Sequence, residues 1–190
     1  MKHLRMFGLL AVAAASLTGF AGGASAAPTL TSPAGTQYTG EIHMTLESGT
    51  STQLKAGIED TCTESTSRGP IIANETFHAE SPLFALTFGK CTQDTSTINP
   101  GRLTIDDVGT VYIVERRVEI KLTSLGVTCF YGAEGSPGVS IGTLKGGTPA
   151  RLTVNTTRLK RLTGSNFFCA FEGTWTGSYI VTTPSSLLIT

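Results

Sequence analysis

The chain has 190 residues with 14 Lys or Arg against 14 Asp or Glu, so it carries no net charge, and charged residues make up only 15% of it. With no basic excess it lacks the electrostatic footprint of a nucleic-acid binder. A hydrophobic fraction of 39% excludes a disordered tail, and the length confines the chain to one domain or two very small ones.

Lys2 and Arg5 open a positive segment, Met6 to Ala21 is almost wholly apolar or small, and Ala24-Ser25-Ala26 fits the small-x-small rule for signal-peptide cleavage. The expectation is export, with residues 1–26 removed and the chain secreted or wall-associated. The mature part then has 12 Lys or Arg against 14 Asp or Glu. A retained anchor is the competing reading, but the apolar run ends in Gly22-Gly23, short of the ~20 residues a span needs. No transmembrane segment is expected in the mature chain.

Residues 27–37 are rich in Pro, Thr, Ser and Gly and read as a loose lead-in to one domain, 38–190. Ile42, Met44 and Leu46 alternate with polar residues, which predicts a strand with one buried face. Gln53 to Thr63 reads as a weaker strand, Ser65 to Thr76 as turn-rich, Leu83 to Phe88 as apolar, and Thr92 to Gly101 as a polar connection ending in Asn99-Pro100-Gly101. Arg102 to Ile105 leads through Asp106-Asp107-Val108-Gly109, a hairpin connection, into Thr110 to Val114. Val118, Ile120 and Leu122 share a face, as do Leu125, Val127, Cys129 and Tyr131. Val139 and Ile141 precede the turn Gly146-Gly147-Thr148-Pro149, and Leu152 and Val154 follow it. Phe167, Cys169 and Phe171 have one parity and read as an aromatic core. Trp175, Gly177, Tyr179 and Val181 form another stripe, and Leu187 to Ile189 a last strand. Short strands between Gly/Pro turns, with Thr as the commonest residue at 31, predict an all-β fold, an antiparallel β-sandwich or barrel-like domain.

The cysteines are Cys62, Cys91, Cys129 and Cys169. An even count in an exported chain reads as two disulfides. Three pairings are open. Sequence order, Cys62–Cys91 and Cys129–Cys169, is favoured, each bond contributing about 3.5–4 kcal/mol by chain entropy. The two pairs suggest similar halves near 38–100 and 101–190. A metal site is disfavoured, because no pair has C-x-x-C spacing and only His43 and His78 remain after cleavage.

Thr39-Gly40-Glu41-Ile42 followed by Cys62, the Leu-Phe-x-Leu-x-Phe-Gly-Lys-Cys form of Leu83 to Cys91, and a C-terminal stretch together resemble a family of secreted β-rich proteins of high-GC actinobacteria. That stretch comprises Gly126 to Gly132, Leu144 to Leu152, Cys169 and Trp175-Thr176-Gly177-Ser178-Tyr179. The resemblance rests on Cys, Gly and aromatic positions and implies no activity and no catalytic residue.

No G-x-S-x-G elbow is present. Gly135-Ser136-Pro137-Gly138 is interrupted by proline, and Gly142 to Gly147 lacks the Lys placement of a phosphate loop. His78-Ala79-Glu80 lacks the P-C-x-x-C partner of zinc deaminases. His43 reads as an outward strand residue and His78 as a loop residue. Asp106-Asp107 reads as a polar hairpin end rather than a Ca²⁺ site, which needs six to eight oxygens. Arg151, Arg158, Lys160 and Arg161 form the one basic cluster, an anion-contacting patch for wall polymer or headgroups, or else a solvated sheet face. The expected function is therefore non-enzymatic: a structural or binding role at the cell surface, without cofactor, toward an envelope polymer or protein. A secreted enzyme assembled from distant residues and a self-assembling surface subunit are the alternatives.

Overall fold

The computed structural model describes residues 27–83, 85–113, 119–132 and 139–190, the side chains at 119, 157 and 158 excepted. The predicted signal segment, Val114, Val118, Gly135 to Gly138 and the side chain of Arg158 lie outside the described residues. Among those described there is no helix, and the strands are β1 (Leu30–Thr31), β2 (Glu41–Leu46), β3 (Thr52–Lys55), β4 (Glu59–Pro70), β5 (Ala73–Asn74), β6 (His78–Pro82), β7 (Ala85–Cys91), β8 (Asp94–Asn99), β9 (Arg102–Asp106), β10 (Thr110–Ile113), β11 (Glu119–Ser124), β12 (Val127–Gly132), β13 (Val139–Lys145), β14 (Arg151–Arg161), β15 (Glu172–Thr183) and β16 (Leu188–Ile189). The fold is all-β and antiparallel, with both disulfides in sequence order: Cys62–Cys91 and Cys129–Cys169.

The long strands β14 and β15 form its spine, paired from Arg151 opposite Ile180 to Lys160 opposite Glu172, with a bulge between Thr156 and Leu159. The far edge of β15 is met by β2 and β3, two parts of one run interrupted at 47–51, and β4 pairs with both. β7 lies outside β4, and the first disulfide joins directly opposed residues of that pair. The other edge of β14 divides. β13 takes its first half and leads to β10, β9, β6 and β5, while β12 takes its last residues and leads to β11 and β8. The first of these arms folds back over β2 and β4. Gly69 makes that approach feasible, because a Cβ there would stand 2.3 Å from the Pro82 carbonyl oxygen. Residues 27–37 hold β1, which pairs with β16 and buries Leu30 completely.

Alternation drives the core. Ile42 and Met44 of β2, Leu103 and Ile105 of β9, and Leu152 and Val154 of β14 all point inward, each such burial contributing about 1.5–3 kcal/mol. Tyr179 and Trp175 are also interior, and Trp175 meets Phe88 edge-on at 5.9 Å. Their polar ends converge on one hydroxyl. Trp175 Nε1 donates to Thr52 Oγ1 at 2.9 Å, and Tyr179 OH donates to Thr52 Oγ1 at 3.3 Å and to Ser65 Oγ at 3.1 Å. Thr52 in turn donates to the Thr176 carbonyl and Ser65 to the Thr87 carbonyl. Burial pushes the Tyr179 hydroxyl pKa up.

Two segments read as irregular are strands. β4 runs on through Ser65 to Pro70 because its buried face there carries Ser65, Ser67 and Gly69, which give no hydrophobic period. β8 likewise has only Thr95 fully buried among polar neighbours. His78, read as a loop residue, begins β6.

Candidate functional site

The predicted basic patch does not form as one surface. Arg151 and Lys160 stand at opposite ends of β14, nine positions apart at about 3.3 Å per residue. Arg151 is engaged with Glu47, whose carboxyl is held below the usual range by hydrogen bonds first from Arg151 and then from Ser178. Arg161 turns over the end of the sheet. Its Nη1 donates to the Cys169 carbonyl at 2.9 Å, and its guanidinium lies 4.3 Å from the centre of the Phe171 ring.

Arg161 thereby organises the most unusual surface among the described residues. Phe167 and Phe171, expected in an aromatic core, are each 77% exposed, and Phe168 between them is 71% exposed. The parity argument fails because 162–171 is a turn region, not a strand, so alternate residues do not share a face. Leu162-Thr163-Gly164-Ser165-Asn166 carried the signal that breaks the pattern. Gly164 has φ +92°, and Asn166 Oδ1 accepts from the Phe168 amide at 3.1 Å, an Asx-type turn. The rings of Phe167 and Phe168 stack on each other at 3.9 Å. Three such rings expose on the order of 450 Å² of aromatic surface, within the range of the largest apolar patches that mark interaction sites.

This loop is fastened to β12. The Leu162 amide donates to the Phe130 carbonyl at 2.8 Å and the Asn166 amide to the Thr128 carbonyl at 3.0 Å. Ser165 Oγ accepts from the Phe130 amide at 2.9 Å, and Cys169 is bonded to Cys129. Leu125, expected on the buried face of β12, sits instead in the β11–β12 turn at φ 49° and is fully exposed. The phenylalanines therefore stand on a held support.

The other candidates have structural uses. Asp106 accepts from the amides of Val108 and Thr110, which is the work of a hairpin end. His43 lies 2.8 Å from Glu41 and His78 3.7 Å from Glu80, both on outward positions. The one triad of metal-ligand type among the described residues is Asp60, Cys62 and Cys91. Its sulfurs are joined in a disulfide, and the buried Asp60 carboxylate accepts from Thr92 Oγ1, the Gln93 amide and Thr95 Oγ1. That arrangement fixes the turn after β7. Among the described residues, interior openings are lined by residues such as Met44, Leu83 and Leu103, by Ser67 and Trp175, and by Leu54 and Leu122. They hold about 10, 20 and 10 Å³ respectively, room for a single water rather than a substrate, and His78 borders none of them. No helix among the described residues is long and apolar enough to cross a membrane.

No family model, curated protein or solved structure matches the chain.

Proposed function

We propose that this chain is an exported, non-enzymatic β-sandwich protein that binds a component of the cell envelope through the tip formed by Phe167, Phe168 and Phe171. The observation that carries this reading is the exposure of three phenylalanines on a loop that a disulfide, four backbone-directed hydrogen bonds and a cation–π contact hold in place. Exposed aromatic side chains cost solubility, and a loop that presents them rigidly loses little entropy on binding. Export is supported by the leader-like residues 1–26 and by two disulfides, which persist in oxidising compartments. The non-enzymatic part is supported by the water-sized apolar openings and by the outward, carboxylate-paired positions of His43 and His78. The likeness to secreted actinobacterial proteins fits the same proposal.

The test is retention of the exported protein on isolated cell envelopes of the producing organism. Wild type should sediment with them, and F167S/F168S/F171S should stay in solution while keeping both disulfides. Equal retention of the two proteins would overturn the reading. So would turnover of ester, peptide or glycoside substrates that disappears in His78→Ala.

A further inference from the structure

The buried Asp60 carboxylate stands beside the first disulfide. Its Oδ2 lies 3.4 Å from Cys62 Sγ, and Cys91 is directly opposite Cys62 across the β4–β7 pair. The two cysteines are unequal. Cys62 is 0% exposed, whereas Cys91, on the outer strand, is only half-buried and reaches solvent. Asp60 is itself 1% exposed, and its hydrogen-bond donors are neutral: Thr92 Oγ1 and the Gln93 amide to Oδ1, and Thr95 Oγ1 to Oδ2. It has no ion-pair partner among the described residues. The other charges around the bond stand in water. Lys90 is 2.6 Å from Glu64 and Lys55 is 3.5 Å from Glu59, each pair cancelling, and Asp94 is on the exposed side of β8. The charge in contact with the buried sulfur is therefore negative and is not offset by a cation.

We infer that Asp60 guards the Cys62–Cys91 bond against exchange with external thiols. In that exchange a thiolate sulfur bonds to one cysteine sulfur and the disulfide bond breaks. Its electron pair leaves on the other sulfur as a thiolate, which then takes a proton from water. Burial closes one route, because an external thiol cannot approach Cys62 Sγ. The other route is attack on Cys91, which puts the electron pair on Cys62 Sγ. That thiolate forms out of water and 3.4 Å from a carboxylate oxygen. Burial and a neighbouring like charge both disfavour a thiolate, and a sulfur that holds its proton more tightly leaves more slowly. The sterically open route is thus the one that the carboxylate penalises. Asp60 is a positioning residue here: it acts on the leaving sulfur and takes no part in the bonds that form and break.

The experiment is reduction of the native protein by dithiothreitol, whose second thiol displaces Cys91 from the mixed disulfide and carries off both electrons as its own ring disulfide. Samples are quenched in acid, alkylated and mapped, which gives a separate rate for each bond. Asp60→Asn keeps the shape and leaves Oδ1 to accept from Thr92 and Gln93, while the Oδ2 position becomes an amide donor. The Thr95 hydroxyl can rotate to accept from it. Opening of Cys62–Cys91 should quicken about tenfold, taking a like charge in contact to raise the pKa of the leaving thiol by about two and about half of that to reach the rate. The Cys129–Cys169 rate should stay that of wild type. Thr95→Val separates charge from packing, since it removes one hydrogen bond to the same Oδ2 and keeps the carboxylate. If charge is the guard, Thr95→Val opens as slowly as wild type or more slowly; if packing is, it opens faster. An Asp60→Asn rate equal to that of wild type overturns the inference. So does an equal quickening at Cys129–Cys169, which would mean general loosening, or a Thr95→Val rate as fast as that of Asp60→Asn. Should Asp60→Asn not fold, the Thr95→Val rate decides alone: acceleration overturns the guard, and an equal or lower rate upholds it.

Discussion

Replacing Thr52 by Val keeps the branched shape and removes one oxygen from the middle of the sandwich. That oxygen accepts the indole N–H of Trp175 and a hydrogen bond from Tyr179, and its own proton goes to the Thr176 carbonyl. Tyr179 keeps Ser65 as a partner, but the buried Trp175 N–H loses its acceptor at 2.9 Å and keeps only the Tyr179 hydroxyl, itself bonded to Ser65. A buried donor deprived of its best acceptor costs about 1–3 kcal/mol, and the lost bond to Thr176 about 1 kcal/mol more. The added apolar surface returns about 1 kcal/mol, so Thr52→Val should destabilise by about 1–3 kcal/mol. Thr52→Ser keeps the hydroxyl and loses one methyl, at about 1 kcal/mol. The assay is equilibrium unfolding in urea with disulfides intact, read as a shift in midpoint at constant slope. A double-mutant cycle with Trp175→Phe should return a coupling of at least about 1 kcal/mol, because removing donor and acceptor together strands nothing. A Val variant as stable as the Ser variant, or strict additivity with Trp175→Phe, would refute the network.

Peptide mapping without reduction should link Cys62 to Cys91 and Cys129 to Cys169, and a Cys62–Cys129 peptide would contradict the fold. With sequence separations of 29 and 40, C62A/C91A and C129A/C169A should lose about 3.5 and 4 kcal/mol by chain entropy. Burial raises the Tyr179 pKa in the folded state above its unfolded value, so its contribution is complete below about pH 10 and is lost as pH rises beyond it. Tyr179→Phe should accordingly flatten the alkaline fall of the urea midpoint between pH 9 and 11 only in part, since burial raises Tyr131 and Tyr38 in the same direction. N-terminal sequencing of the protein from culture supernatant should begin at Ala27, and a product beginning at Met1 would refute cleavage.

Strands whose inner residues are aliphatic were legible in the sequence. Ile42 and Met44, and Leu152 and Val154, point to the core as their alternation predicts, and the apolar run from Val111 buries Val111 and Ile113. Legibility ended where the inner face is polar. Ser65 of β4 and Thr95 of β8 are buried with long-range partners, Tyr179 and Asp60, and no local window contains those partners. The tip was hidden for the opposite reason. Phe167 and Phe171 share the parity of the buried Cys169, so a strand rule places them inside. Only the turn before them and the clasp to β12 keep them out. The basic cluster misled because proximity along a strand is extension in space: Arg151 and Lys160 share a strand and not a surface.

The claim on which the functional account stands is that the side chain of Phe168 leaves water when the protein meets its target. Phe168→Trp places an indole at that position, while the native Trp175 is buried and already emits from an apolar site. Emission of the variant, corrected for the wild-type spectrum, should start at the wavelength of a solvated indole. It should shift to the blue and strengthen on addition of cell envelopes. Emission that stays at the solvated wavelength while the protein sediments with the target would show that binding occurs elsewhere on the molecule and would contradict the account.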